Sequence, residues 1–269
     1  MKIYNSINDL IGIGSLNGNE LINGDCLEVM KYIPDKSIDM ILCDPPYGTT
    51  CLKWDKVINF DVLWQEYKRI IKDNGIIVLF GIQPFTTMLI ASNLEMYRYS
   101  WLWKKNTATG FLNVNYKPLN ITEDICVFSF GTIGSLSKNP ITYYPQGIVE
   151  VNIKKKNNPN SNWRKNKGYD SMNNVLNSDK EFTQKYTGYP NNILDFDRDK
   201  PSVHPTQKPV ALLEYLINTY TNENDLVLDN CMGSGSTGVA CKNLNRRYIG
   251  IELDDNYFDI AKERIEREA

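Results

Sequence analysis

Leu226-Val227-Leu228-Asp229-Asn230-Cys231-Met232-Gly233-Ser234-Gly235-Ser236-Thr237-Gly238 is the stretch whose reading decides the fold. Three apolar residues read as a buried strand, and the glycines after them fit G-x-G-x-x-G. Gly235 to Leu244 reads as a helix. Tyr248 to Ile251 reads as a second strand, ending in Glu252. This is one βαβ half of a nucleotide-binding sheet. Small residues let a ligand approach the backbone, and a carboxylate at the end of the second strand can bond both hydroxyls of a ribose. Asp229 leads into the loop. A carboxylate there suits an ammonium and repels a pyrophosphate, which tilts the ligand from a dinucleotide toward S-adenosylmethionine.

Outward from this unit the alternation continues. Val210 to Tyr220 is helical, with Leu212, Leu213, Leu216 and Ile217 on one face, and Asn256 to Glu268 is an amphipathic helix. Toward the N-terminus, Ile38 to Cys43 is a short apolar run, Phe60 to Lys72 has helical spacing, and Ile76 to Phe80 reads as a buried strand. Pro84 to Leu94 reads as a helix, and Trp101 to Trp103 and Ile125 to Phe128 as strands. Strand–helix alternation predicts an α/β, Rossmann-like fold: a mostly parallel seven-stranded sheet with helices on both faces. Residues 131–199 differ, being rich in Asn, Lys, Tyr, Pro and Gly with weak periodicity. They are too long for an ordinary connection and are expected to form a loop-rich insert. The catalytic domain is then 1–130 and 200–269.

Composition sets bounds. The chain has 269 residues, 42% hydrophobic and 23% charged, with a net charge of −2. That suits one large domain plus an insert. No apolar run approaches the length of a membrane span, and the first ten residues lack a signal pattern, so a cytoplasmic location is expected. His204 is the single histidine, and the six cysteines form no C-x-x-C pair, so no metal site is expected. His204 is read as ordering its turn rather than as a base.

Asp44-Pro45-Pro46-Tyr47-Gly48 ends the Ile38–Cys43 strand. Two prolines fix the backbone and remove donors while leaving carbonyls free to accept. The turn therefore offers a carboxylate, a rigid carbonyl and an aromatic face, a set that matches a flat base with an exocyclic amine. Such an amine is a poor nucleophile because its lone pair is delocalised into the ring. Two acceptors aimed at its hydrogens favour a pyramidal nitrogen that attacks a sulfonium methyl in line, so positioning does most of the work.

Asp44-Pro45-Pro46-Tyr47, followed by Asp229-x-x-x-Gly233-Ser234-Gly235, resembles the β group of amino DNA methyltransferases, with the catalytic motif ahead of the cofactor motif. Asn23-Gly24-Asp25-Cys26 and His204-Pro205-Thr206-Gln207-Lys208-Pro209 are similar to two flanking blocks of that group. The resemblance spans roughly 20–130 and 190–268. It implies transfer of a methyl group from S-adenosylmethionine to adenine N6, with cytosine N4 the alternative and a catalytically dead DNA-binding module a further one. It implies that Asp25 and Cys26 lie by the cofactor adenine. Asp229, Cys231, Gly233 and Gly235 surround its methionine, Glu252 holds its ribose, and Thr206 and Lys208 approach its carboxylate. Asp44, Pro45, Pro46 and Tyr47 hold the flipped base. Where the family usually has Pro-Phe, this chain has Asn230-Cys231, which reshapes the cofactor pocket. The resemblance leaves room for a homodimer and for a restriction endonuclease in the same system.

The expected partner is double-stranded DNA. Residues 98–169 carry eleven basic and three acidic side chains, a net +8, leaving −10 elsewhere. Within that segment Lys104, Lys105, Lys154, Lys155, Lys156, Trp163, Arg164, Lys165 and Lys167 are the candidates for DNA contact.

Overall fold

The computed structural model describes residues 1–49, 55–134, 136–156, 181–199 and 207–267. Two compact units are present: 1–144 with 192–269, and 145–191.

The larger unit is built on one sheet. Its strands are β1 (Lys2–Tyr4), β2 (Glu20–Asn23), β3 (Ile38–Cys43), β4 (Ile71–Gly81), β5 (Tyr97–Thr109), β6 (Asn120–Phe128), β9 (Ile193–Asp195), β10 (Leu226–Asp229) and β11 (Arg247–Glu252). The order is β1-β2-β11-β10-β3-β4-β6-β5-β9. Five successive parallel pairings run from β1 to β4; β6 is then antiparallel to both β4 and β5, and β9 returns parallel to β5. Among the described residues the sheet has nine strands where seven were expected. Lys2–Tyr4 and Ile193–Asp195 are three-residue edge strands, too short to show a period of their own. The second of them lies inside the expected insert, yet it completes the catalytic sheet.

The helices are α1 (Cys26–Val29), α2 (Phe60–Ile70), α3 (Phe85–Ser92), α4 (Val210–Tyr220), α5 (Ser236–Asn243) and α6 (Asp255–Arg267). They cover both faces, which is why the central strands read as continuous apolar runs rather than as alternation. β3 shows this directly: Ile41 and Cys43 pack with Trp64 and Tyr67 of α2, whereas Met40 and Leu42 pack with Leu216 of α4 and Phe258 of α6. α2 ends two residues before the expected Lys72, because Ile71 is already extended and pairs with Ile38. Among the described residues no helix is long and apolar enough to cross a membrane.

In the smaller unit, β7 (Val149–Lys156) pairs antiparallel with β8 (Glu181–Thr187). Their side chains are almost all exposed, so neither strand carries the buried apolar pattern that marks a strand in sequence.

Candidate active site

Four neighbouring parallel strands, β2, β11, β10 and β3, deliver their carboxyl ends to one edge of the sheet. There the chain places Asp25, Glu252, Asp229 and Asp44. Ligands in open α/β sheets bind at this edge. A cavity of about 380 Å³ opens on it, lined by Asp25, Cys26, Asp44, Pro45, Pro46, Tyr47, Lys208, Asp229, Cys231, Gly233 and Glu252 among others. Residues up to 227 positions apart in sequence thus share one space. Thr206 and His204 lie outside the described residues.

One half of the cavity belongs to the glycine loop. Glu252 accepts from the backbone N–H of Gly233 at 2.8 Å and of Asp254 at 2.9 Å, which ties the loop to β11. Asp25 caps α1, accepting from Leu27 at 2.8 Å. Asp229 is buried, accepts from the Cys231 N–H at 3.2 Å, and has no cation beside it among the described residues. Burial pushes its pKa up to about 7 despite the Thr237 and Cys231 hydrogen bonds. Burial raises Glu252 as well, against its backbone donors. A buried carboxylate without a counter-charge, a second partly exposed one on the next strand and a cavity of small-ligand size fit a ligand that carries an ammonium and a ribose.

Gly235 does not line the cavity. It starts α5 at φ +77°, and an added Cβ would sit 3.0 Å from both Ala261 Cβ and Ile265 Cδ1 of α6. Its glycine is required by helix packing and by a left-handed turn rather than by ligand approach. The Asn230-Cys231 departure also has a structural account. Asn230 Oδ1 accepts from the buried Tyr67 hydroxyl at 2.6 Å, anchoring the loop to α2. Cys231 lies among the thiols of Cys26 and Cys43. Hydrogen bonding to Cys231 and burial raise Cys26 far above the ordinary range, and burial raises Cys43 to about 11. Raised in this way, the thiols favour their protonated form.

The other half is the proline turn. The Tyr47 hydroxyl donates to Asp44 Oδ1, and the Tyr47 ring packs at 5.0 Å from that of Phe85. Asp55, absent from the sequence reading, accepts from the Gly48 and Thr49 N–H groups at 2.8 and 2.9 Å and fixes the exit of the turn. Lys208 Nζ meets Asp44 Oδ2 at 2.5 Å and Glu123 Oε2 at 3.2 Å, while Lys105 Nζ meets Glu123 Oε1 at 3.2 Å. Four charges of alternating sign thus run inward from the turn. Burial outweighs the Lys208 attraction and raises Asp44. For Glu123 the order reverses: burial opposes ionisation, but Lys208 and Lys105 win and lower it.

Two of the expected site residues meet in this buried charge group. Lys105, expected at DNA phosphates, is only 3% exposed and faces inward. The period of β5 carries this signal, since Trp101, Trp103 and Lys105 share its buried face. Lys208, expected at the methionine carboxylate, lines the cavity and pairs with Asp44 and Glu123. Glu123 was counted only as an acid diluting the basic segment. Its signal was its place two residues before Ile125, on the inward side of a strand.

Of the remaining basic candidates, Lys104 is half exposed and pairs with Asp195 at 2.7 Å. Lys154, Lys155 and Lys156 are exposed on β7. Trp163, Arg164, Lys165 and Lys167 lie outside the described residues. Among the described residues no group of side chains is arranged to hold a metal ion.

Fold and site together define a methyltransferase-type α/β domain, with the glycine loop and the Asp44–Tyr47 turn lining one cavity on the same sheet edge. Comparison with known proteins gives the family. The family described as DNA methylase, the N6/N4 methyltransferases, matches residues 38–263. Type II methyltransferase M.HpaI of Haemophilus parainfluenzae is 31% identical, over 92% of this chain and 74% of its own length. DNA adenine methyltransferase YhdJ of Escherichia coli is 29% identical, over 93% and 84%. The crystal structure of the M1.HpyAVI-SAM complex is 26% identical with a TM-score of 0.58, over 91% of this chain and 98% of that one. PvuII DNA methyltransferase, cytosine-N4-specific, shares the fold at 15% identity and a TM-score of 0.61. The chain belongs to the N6/N4 DNA methylase family.

Proposed function

We propose that the protein transfers a methyl group from S-adenosylmethionine to the N6 amine of an adenine flipped out of duplex DNA. The observation that carries this reading is the single cavity shared by the Asp44–Tyr47 turn and the Asp229–Gly233 loop. Asp229 pairs with the cofactor ammonium and Glu252 with its ribose hydroxyls; when bound, the cofactor supplies an electrophilic methyl. Asp44 and the Pro45 carbonyl accept the hydrogens of the target amine, and Tyr47 stacks on the ring. The nitrogen gains the methyl and loses one hydrogen as a proton, for which the Asp44 carboxylate, its affinity raised by burial, is the nearest acceptor. Aspartate at the head of the turn and the similarity to a named adenine methyltransferase support adenine over cytosine.

The 131–199 region, with the exposed lysines of β7, reads the DNA sequence in this proposal. A restriction endonuclease of the same system accords with the type II names of its relatives, and the proposal includes a cytoplasmic location and a homodimer. Single-molecule sequencing of DNA from cells expressing the protein tests the reading. Methyladenine in one fixed sequence context supports it. Methylcytosine, or no mark, refutes it. Asp44→Ala is expected to abolish the mark while cofactor binding persists.

A further inference from the structure

Asp44 has both carboxylate oxygens engaged before any base arrives. Oδ1 takes the Tyr47 hydroxyl, and Oδ2 takes the Lys208 ammonium. The amine of an incoming base needs an acceptor at this position. Lys208 is buried at 7% exposure and faces Asp44, Glu123 and the Phe80 ring, whose centroid lies 5.0 Å from Nζ. Glu123 Oε2, 3.2 Å from that ammonium, makes no hydrogen bond, whereas Oε1 accepts from Lys105. A buried carboxylate oxygen with an open acceptor position beside a lysine already in use elsewhere is an unfilled seat for that lysine.

We propose that Lys208 is a placeholder on Asp44, displaced by the target amine onto Glu123, and that Glu123 is a positioning residue with Lys105 as its anchor. This rests on the reading of Asp44 as the acceptor of the target amine. The quartet Asp44, Lys208, Glu123 and Lys105 has no net charge, so a neutral base enters without leaving an unpaired charge behind. Displacement exchanges one charge-assisted hydrogen bond for another within the same buried group. The lysine needs only to turn an N–H onto an oxygen it already meets at 3.2 Å, with no exposure to water. The placeholder also opposes the rise that burial imposes on the Asp44 carboxyl.

Two variants test this on a duplex that keeps the target adenine and carries 2-aminopurine as its neighbouring base, in the context that sequencing identifies. In Lys208→Met the competitor is gone. Base capture, read as 2-aminopurine fluorescence, is expected to rise at least threefold at subsaturating DNA, while methyl transfer falls at least tenfold. A purely structural lysine would lower both, and that outcome overturns the proposal. In Lys105→Met with Glu123→Gln the buried charge stays balanced, but the seat is lost. Cofactor affinity is expected within twofold of wild type. Capture and kcat fall at least tenfold. Wild-type capture by this variant overturns it. The wild-type enzyme, run alongside, reports separately on the parent reading: no methyl transfer to DNA would refute that reading instead.

Discussion

Asp229→Asn should strengthen the empty fold and weaken cofactor binding together. The wild-type carboxylate is buried, has no cation among the described residues, and titrates at about 7 instead of 3.8. The folded state therefore holds the proton more tightly than the unfolded chain. Stability conferred by that proton is present below the ordinary carboxylate pKa and is lost as pH rises from about 4 to 7. Three units at about 1.36 kcal/mol each give ~4 kcal/mol as the upper scale of the penalty for keeping it charged. Asparagine carries no such penalty, so the unliganded variant should melt higher than wild type at pH 8, by several degrees.

Binding moves the other way. A ligand ammonium pairs only with the ionised form. With a pKa near 7, that form grows from roughly one tenth at pH 6 to one half at pH 7, so affinity should rise about fivefold across that unit. Removing the charge forfeits a charge-assisted hydrogen bond worth about 1.5–3 kcal/mol, a loss of roughly ten- to hundredfold in affinity. Isothermal titration calorimetry with S-adenosylmethionine on both proteins at the two pH values measures this, and differential scanning calorimetry of the unliganded proteins measures the rest. The variant serves as baseline, since titration of the ligand's own amine is common to both. Wild-type affinity independent of pH over this range, or a variant that binds as tightly as wild type, would refute the reasoning.

Two further substitutions probe the packing beneath the site. Gly235→Ala places a Cβ 3.0 Å from Ala261 and Ile265 at a left-handed φ, and should cost about 1–3 kcal/mol in urea unfolding. A neutral result would mean that α5 and α6 shift apart freely. Tyr67→Phe leaves Asn230 Oδ1 without its buried donor, and should cost about 1–3 kcal/mol while loosening the cofactor loop. Unchanged stability with unchanged cofactor affinity would remove Tyr67 from the account of the Asn230-Cys231 departure.

The sequence by itself determined the central sheet and the two motifs at its edge. Strand, glycine loop, helix and terminal acid recur within some 27 residues, so local spacing was enough to place Asp229, Gly233 and Glu252 in one pocket. A doubly covered parallel strand such as Ile38–Cys43 also announces itself, because both of its faces must be apolar. Charge was less legible. A lysine contributes the same +1 to a segment sum whether it reaches solvent or turns inward. Only the pairing of β5 with β6 decided that Lys105 faces Glu123, and only the approach of the loop before α4 brought Lys208 onto Asp44. Those contacts join residues 18, 85 and 164 positions apart, distances at which no periodicity survives. The tertiary structure therefore turned Lys105, counted from composition among DNA-facing charges, into the buried counter-charge of Glu123, which in turn meets the Lys208 that pairs with Asp44.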